Sequence, residues 1–197
     1  MAVRKIIRMG HPVLRRRARP LRREELDSVV LHRLIADMVD TLHDYGGIGL
    51  AAPQVNESVR LALIEIPGGP TRYGELDHLP LTVCVNPEIE IVDETASGYW
   101  EGCLSIPGLR GFVERPQHIR VHFLDLGGER RELEARGFLA TVFQHEFDHL
   151  DGRLFIDRIK DPTRLAFEEE FARYVLPLER EGEPAGEAVG ESADASA

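Results

Sequence analysis

Residues 137–152, GFLATVFQHEFDHLDG, place more conditions on the fold than any other stretch of the chain. The first half is apolar, and Phe143, Phe147 and Leu150 carry that character on among two histidines and three carboxylates. The spacing predicts a helix over 137–151, closed by Gly152. Its apolar groups point in nearly every direction, so it has to be buried nearly all round. A buried helix must pair its polar side chains or coordinate something with them, because an uncompensated buried charge is costly. The rest of the chain therefore has to wrap this helix and meet its polar groups.

His145 and His149 stand four residues apart and project from one helix face, about 5–6 Å between Cβ atoms. Two imidazoles so placed can bind one metal ion through nitrogen. Glu146 lies about 100° further round the helix, towards the ion's open side. This is the H-E-x-x-H pattern, in which the glutamate takes a proton from water at the metal. The competing reading is a structural polar network with no ion. A metal site needs a third protein ligand, and the candidates are Cys103, Cys84, the other histidines and the acids. Cys103 lies in WEGCLSIPG (100–108), a Gly-flanked segment that need not be a regular strand, and its thiolate would be a strong, soft ligand. Cys84 sits within the β-like LTVCV and reads as a small buried hydrophobe. Glu101 and Ser105 alternate with Cys103; they face solvent, or Glu101 pairs with an arginine such as Arg115.

GGIGLAAPQ (46–54) is the third conspicuous stretch. Its small residues let backbone approach a neighbour closely, and Gln54 brings a side-chain amide. It is neither a P-loop nor a dinucleotide fingerprint, lacking the Lys-Ser/Thr and following a helix. A packed turn and a binding wall fit it equally.

Elsewhere, residues 26–45 carry one apolar stripe (Leu31, Leu34, Ile35, Met38, Leu42) and predict a helix capped by Ser28 or Asp27 and ended by Gly46. Short strands are expected at 60–66, 81–87, 88–92 and 119–125, with 130–135 returning on 119–125 across Gly127-Gly128. Residues 68–80 read as a loop, and Asp161 as the cap of a third helix near 163–175 using Leu165, Phe167 and Phe171. The expectation is a single α+β domain. Short, mainly antiparallel strands pack around the central HEFDH helix, with an N-terminal and a C-terminal helix. The domain spans 1–178, and 179–197 form an acidic tail with nothing to bury.

Charge is unevenly spread under the net −10: residues 1–23 hold nine cations and no acid. An acidic body argues against a domain that wraps nucleic acid, and specific DNA binding is not expected. The basic segment folds back on that body or touches an RNA. No run approaches the roughly 18 apolar residues of a membrane span, and the start lacks a secretory apolar region. Two cysteines do not make a disulfide framework in a chain of 197 residues, so a cytoplasmic location is expected.

Together the three stretches resemble the bacterial peptide deformylase family, which shows G-φ-G-φ-A-A-x-Q, E-G-C-φ-S and H-E-φ-D-H-φ-x-G in this order. They stand here as GIGLAAPQ (47–54), EGCLS (101–105) and HEFDHLDG (145–152), with every fixed position filled. The resemblance covers roughly residues 3–175. It implies a hydrolase that removes the N-formyl group from the formyl-methionine of nascent chains and releases formate. By resemblance, Cys103, His145 and His149 hold one Fe²⁺ per chain, a site that Ni²⁺, Co²⁺ or Zn²⁺ can also occupy. Glu146 is the acid/base, and Gln54 and the Leu104 amide steady the formyl oxygen. Ile48, Tyr99, Phe138, Thr141 and Val142 flank the methionine pocket. Gly49 and Arg110 hold the peptide, Glu101 pairs with Arg115 beside the pocket, and Asp148 stands behind the ligands. The partners implied are N-formylmethionyl peptides, with the ribosome near its exit tunnel as a further contact. Trp100 departs from the pattern, since an acidic residue is common there. Two rivals remain on the residues alone: a metallopeptidase or amidase, and a binding module held together by a closed zinc site.

Overall fold

The computed structural model describes residues 2–71 and 74–182. Helix α1 (Val29–Asp44) is followed by strands β1 (Gly49–Ala51), β2 (Leu61–Ile66), β3 (Gly69–Thr71) and β4 (Gly74–Leu76). Then come β5 (Leu79–Cys103), β6 (Ile106–Leu124), β7 (Arg130–Arg136), helix α2 (Gly137–Leu150) and β8 (Leu165–Phe167). The described residues end in a helical run, α3, in which Glu168–Glu170 passes through a π-helical turn, Phe171–Val175, into Leu176–Gly182. β1, β2, β5, β6 and β7 form an antiparallel sheet in that order, and β8 adds to β6. This is an α+β fold, an antiparallel sheet with flanking helices.

The two main helices arise as their spacing predicts. Ser28 Oγ caps α1 by accepting from Leu31 N at 3.2 Å, and Gly46 leaves it at a φ of +63°. Its stripe packs on Leu61 and Leu63 of β2, while Ala62 and Ile64, on the strand's other face, pack under α2. Covered on both faces, β2 reads as a nearly continuous apolar run instead of a clean alternation. α2 buries Ala140, Val142, Phe143, Phe147 and Leu150 against Ile119, Val121 and Ala135. Several arginines of the N-terminal segment fold back on acids: Arg4 on Asp37 and Glu57, Arg15 on Asp157, and Arg19 on Glu25.

Three local expectations are corrected. The strands are not all short: β5 runs 25 residues and β6 runs 19. Their shared register shifts repeatedly, between Val85 and Glu88 and again around Asp93, so one bent ribbon replaces several straight pieces. Pro87 falls in the first shift, next to Asn86 at a φ of 49°. Asn86 is held there by paired hydrogen bonds with the Leu21 backbone, each 2.8 Å. The segment 68–80 is not a plain loop, since β3 and β4 pair within it. Asp161 caps only a short turn at Pro162–Arg164, and Leu165 and Phe167 lie in β8 with their side chains largely in water. The backbone of β8 satisfies itself on Leu109–Gly111 of β6, so a helix starts only at Glu168. Glu179 lies in this helix, its Oε1 accepting from Trp100 Nε1 at 3.1 Å; the tail from 183 to 197 lies outside the described residues.

Candidate metal centre

Antiparallel pairing of β5 with β6 brings EGCLS to α2. Cys103 is the last residue of β5, paired to Ile106 across the turn at Leu104-Ser105. Its Sγ lies 3.3 Å from His149 Nε2. The ligand atoms of Cys103, His145 and His149 all fall within 4.8 Å of one another, and the group is buried. His145 Nδ1 donates to Glu101 Oε2 at 2.7 Å, which leaves its Nε2 for the centre. The ring also stacks on buried Phe155, 6.2 Å between centroids. Glu101 in turn receives Arg115 Nε at 2.6 Å and Nη2 at 3.1 Å, and Arg115 Nη1 donates to Asp148 Oδ2 at 2.8 Å. A carboxylate behind a ligating imidazole fixes its tautomer and orientation. Glu101 is therefore buried and orients a ligand, and it does not face solvent.

The electrostatics match a cation site. Burial pushes the Cys103 thiol up, but His149 and His145 overcome this and bring it down to about 5, so a thiolate stands ready at neutral pH. Burial alone would lower His145; its bonds to Cys103 and Glu101 hold it well above the usual range instead. Burial raises Glu146 against the nearby charges of His145 and His149. Two buried atoms here have no hydrogen-bond partner among the described residues, Glu146 Oε2 and His149 Nδ1. A purely structural network would pair the carboxylate oxygen, whereas His149 Nδ1 is the ring nitrogen not turned to Cys103 and bears less directly on the centre. One thiolate, two imidazoles and a free carboxylate oxygen fit a divalent ion with an open side.

GIGLAAPQ forms the wall facing this centre. Gln54 Oε1 accepts from Ala51 N at 2.8 Å, which turns Nε2 towards Ser105 Oγ at 3.3 Å and Cys103 Sγ at 3.5 Å. Gly49 lies directly under Glu146: a Cβ added there would meet Glu146 Cγ at 2.7 Å. The stretch is thus both a packed turn and a binding wall. Beyond it opens a cleft of about 1080 Å³, into which Ile48, Gly49, Gln54, Leu104, Phe138, Thr141, Val142 and Arg110 all face. Tyr99 stands one ring back, edge-on to Phe138 at 5.4 Å. Asp148 does not touch a ligand; it holds Arg115 and Arg158.

Sequence reasoning missed several contributors. Ser105 is fully buried and receives the Gln54 amide, and its carbonyl accepts from Met9 N at 2.8 Å. Ile7 N donates to Gln54 O at 2.9 Å, so the basic N-terminal segment straps the wall and brings Lys5 and Arg8 to the cleft. The alternation of Ser105 with Cys103 was a signal for the first; nothing local marked the second. Cys84, with a thiol that burial pushes far up, takes no part.

Comparison with known proteins agrees with this geometry. The family model described as polypeptide deformylase matches residues 3–165. Peptide deformylase 1 of Bordetella pertussis is 44% identical over 164 residues, 83% of this chain and 92% of its own. A peptide deformylase of Leptospira biflexa is 38% identical over 170 residues, 86% of this chain and 95% of its own. The crystal structure of a class I type b peptide deformylase from Acinetobacter baumannii with Met-Ala-Ser bound superposes with a TM-score of 0.74. It is 37% identical and covers 80% of this chain and 98% of its own. Likeness of this extent reaches well past the three motifs into the sheet that assembles them, and the chain belongs to the polypeptide deformylase family of metal-dependent hydrolases.

Proposed function

We propose that the protein removes the formyl group from formyl-methionine at the start of nascent chains, in the cytoplasm near the ribosomal exit tunnel, and releases formate. The catalytic unit runs through Gly182, because Glu179 belongs to α3 and accepts from Trp100, and 183–197 are an acidic extension. Cys103, His145 and His149 hold one ion, Fe²⁺ in the cell, since a thiolate with two imidazoles is a borderline donor set that Ni²⁺, Co²⁺ and Zn²⁺ also suit. When bound, the ion supplies a Lewis acid that polarises the formyl carbonyl and makes a water molecule acidic.

The chain's own groups do the rest. Glu146 takes the water's proton at its free Oε2, and burial, by raising its pKa, helps it keep the proton for the departing amine. The Gln54 Nε2 and the Leu104 backbone N–H donate to the formyl oxygen as charge grows there. Ile48, Phe138, Thr141 and Val142 lodge the methionine side chain, with Tyr99 bracing Phe138. Gly49 and Arg110 hold the peptide backbone. The Met-Ala-Ser bound to the Acinetobacter relative supports a methionyl peptide as the occupant.

The observation that carries this reading is the buried Cys103–His145–His149 group with an unpaired Glu146 oxygen beside it. The test is formate release from a formyl-Met tripeptide by protein purified without oxygen and analysed for metal. Glu146→Ala should abolish release while metal stays near one ion per chain, and full activity in that variant would refute the acid–base role. Cleavage of internal amides in preference to formamides would place the chain with the peptidases instead.

A further inference from the structure

Among the described residues three carboxylates line the cleft, and two of them are buried. Glu101 holds Arg115 and His145, and Glu146 is buried at the centre. The third, Glu168, has a side chain 49% exposed. It comes from beyond the family-matched segment, which ends at residue 165. The pairing of β8 with Leu109–Gly111 delivers it there, because α3 begins directly after that strand. Phe171 against Trp100, 4.9 Å between rings, and Glu179 on the indole N–H hold α3 in place.

The Glu168 carboxylate grips Arg110 at Nε, 3.1 Å away, and at Nη2. That guanidinium lies against Gly102, the residue before the ligand Cys103: a Cβ on Gly102 would meet Arg110 Cζ at 2.6 Å. Lys5 and Arg8 face the same cleft. Glu168 is thus the one solvent-reachable carboxylate among the described cleft residues, in a rim otherwise charged by cations.

We propose that Glu168 sets the charge preference of the cleft for the residues that follow formyl-methionine. It neutralises Arg110, cancels the advantage a cationic rim would give to acidic peptides, and offers its own carboxylate to basic ones. The inference rests on the deformylase reading above.

The test measures kcat/KM for formate release from formyl-Met-Ala-Asp and formyl-Met-Ala-Lys, both amidated at the C-terminus so that only the side chain differs. Glu168→Gln should raise the Asp-to-Lys ratio about five- to tenfold, through KM, and Glu168→Lys should raise it further. Salt at about 0.5 M should remove most of both effects. Glu168→Asp keeps the charge and should keep the wild-type ratio even where the overall rate falls. Glu169→Gln makes the same change of net charge on an exposed neighbour and should leave the ratio alone. A Glu168→Gln ratio within about twofold of wild type, or a Glu169→Gln ratio that moves as far, overturns the proposal. No formate from any peptide with metal-loaded wild-type protein would overturn the deformylase reading instead.

Discussion

Glu146 and Gly49 show how a single missing side chain shapes the centre. Gly49 has no left-handed φ, so an alanine there is conformationally acceptable and only the glutamate above stands in its way. The carboxylate is what would have to move first, because the clash falls on its own side-chain atoms, while His145 is held by Glu101 and Cys103 belongs to β5. Gly49→Ala should therefore lower kcat on the order of 10²-fold, the usual effect of misplacing a reacting group by about 1 Å. Metal content should remain near one ion per chain. Steady-state kinetics with metal analysis checks this, and a loss of metal parallel to the loss of rate would show that the whole centre had collapsed.

At the scale of elements, one buried arginine joins strand to helix. Arg115 on β6 binds Glu101 on β5 and Asp148 on α2, and all three side chains are less than a tenth exposed. Removing one partner from such a group leaves buried charge uncompensated, which typically costs about 3–5 kcal/mol. Arg115→Ala should lose stability of that order in urea melts. It should also weaken metal binding, since Glu101 would no longer be steadied behind His145. Loss of stability with unchanged metal affinity would separate the ion pairs from the site. The residues of this network were legible in part: the Glu101–Arg115 pair followed from their types and the family resemblance, whereas the role of Asp148 depends on Arg158, ten residues further along the chain. Helices α1 and α2 were readable because their apolar periodicity is local. The long, bent β5 and β6 were not. Their continuity depends on register shifts set by partners such as Leu21 against Asn86, 65 residues apart. The three motifs stood out because each is a local spacing; Glu168 did not, because its partner is 58 residues away.

At the scale of the whole molecule, the N-terminal strap ties the cleft wall to α1, and the tie is ionic. Ala2 N donates to Asp37 Oδ1 at 3.0 Å, Arg4 Nε donates to Asp37 Oδ2 at 3.2 Å, and Arg4 Nη1 reaches Glu57 at 2.8 Å. Burial pushes the Asp37 carboxyl up, but the Ala2 N–H and Arg4 more than offset it and hold it below its ordinary 3.8. A depressed carboxylate binds its proton less readily in the folded chain than in the unfolded one. Its contribution is therefore complete above the ordinary carboxylate range and is lost as pH falls through the lower folded value. Release should begin at the strap, because Ile7 and Met9 follow Arg4 closely and their amides hold Gln54 and Ser105. The protection factors of the Ile7 and Met9 amides, corrected for the intrinsic pH dependence of exchange, should fall below about pH 4, ahead of those in β2 and α2. Asp37→Asn removes the titrating group: the strap amides should be less protected at neutral pH, and the acid-dependent part of their exchange should shrink. Equal acid sensitivity in wild type and Asp37→Asn would assign the tie to another carboxylate, with Glu57, the second partner of Arg4, the first to replace.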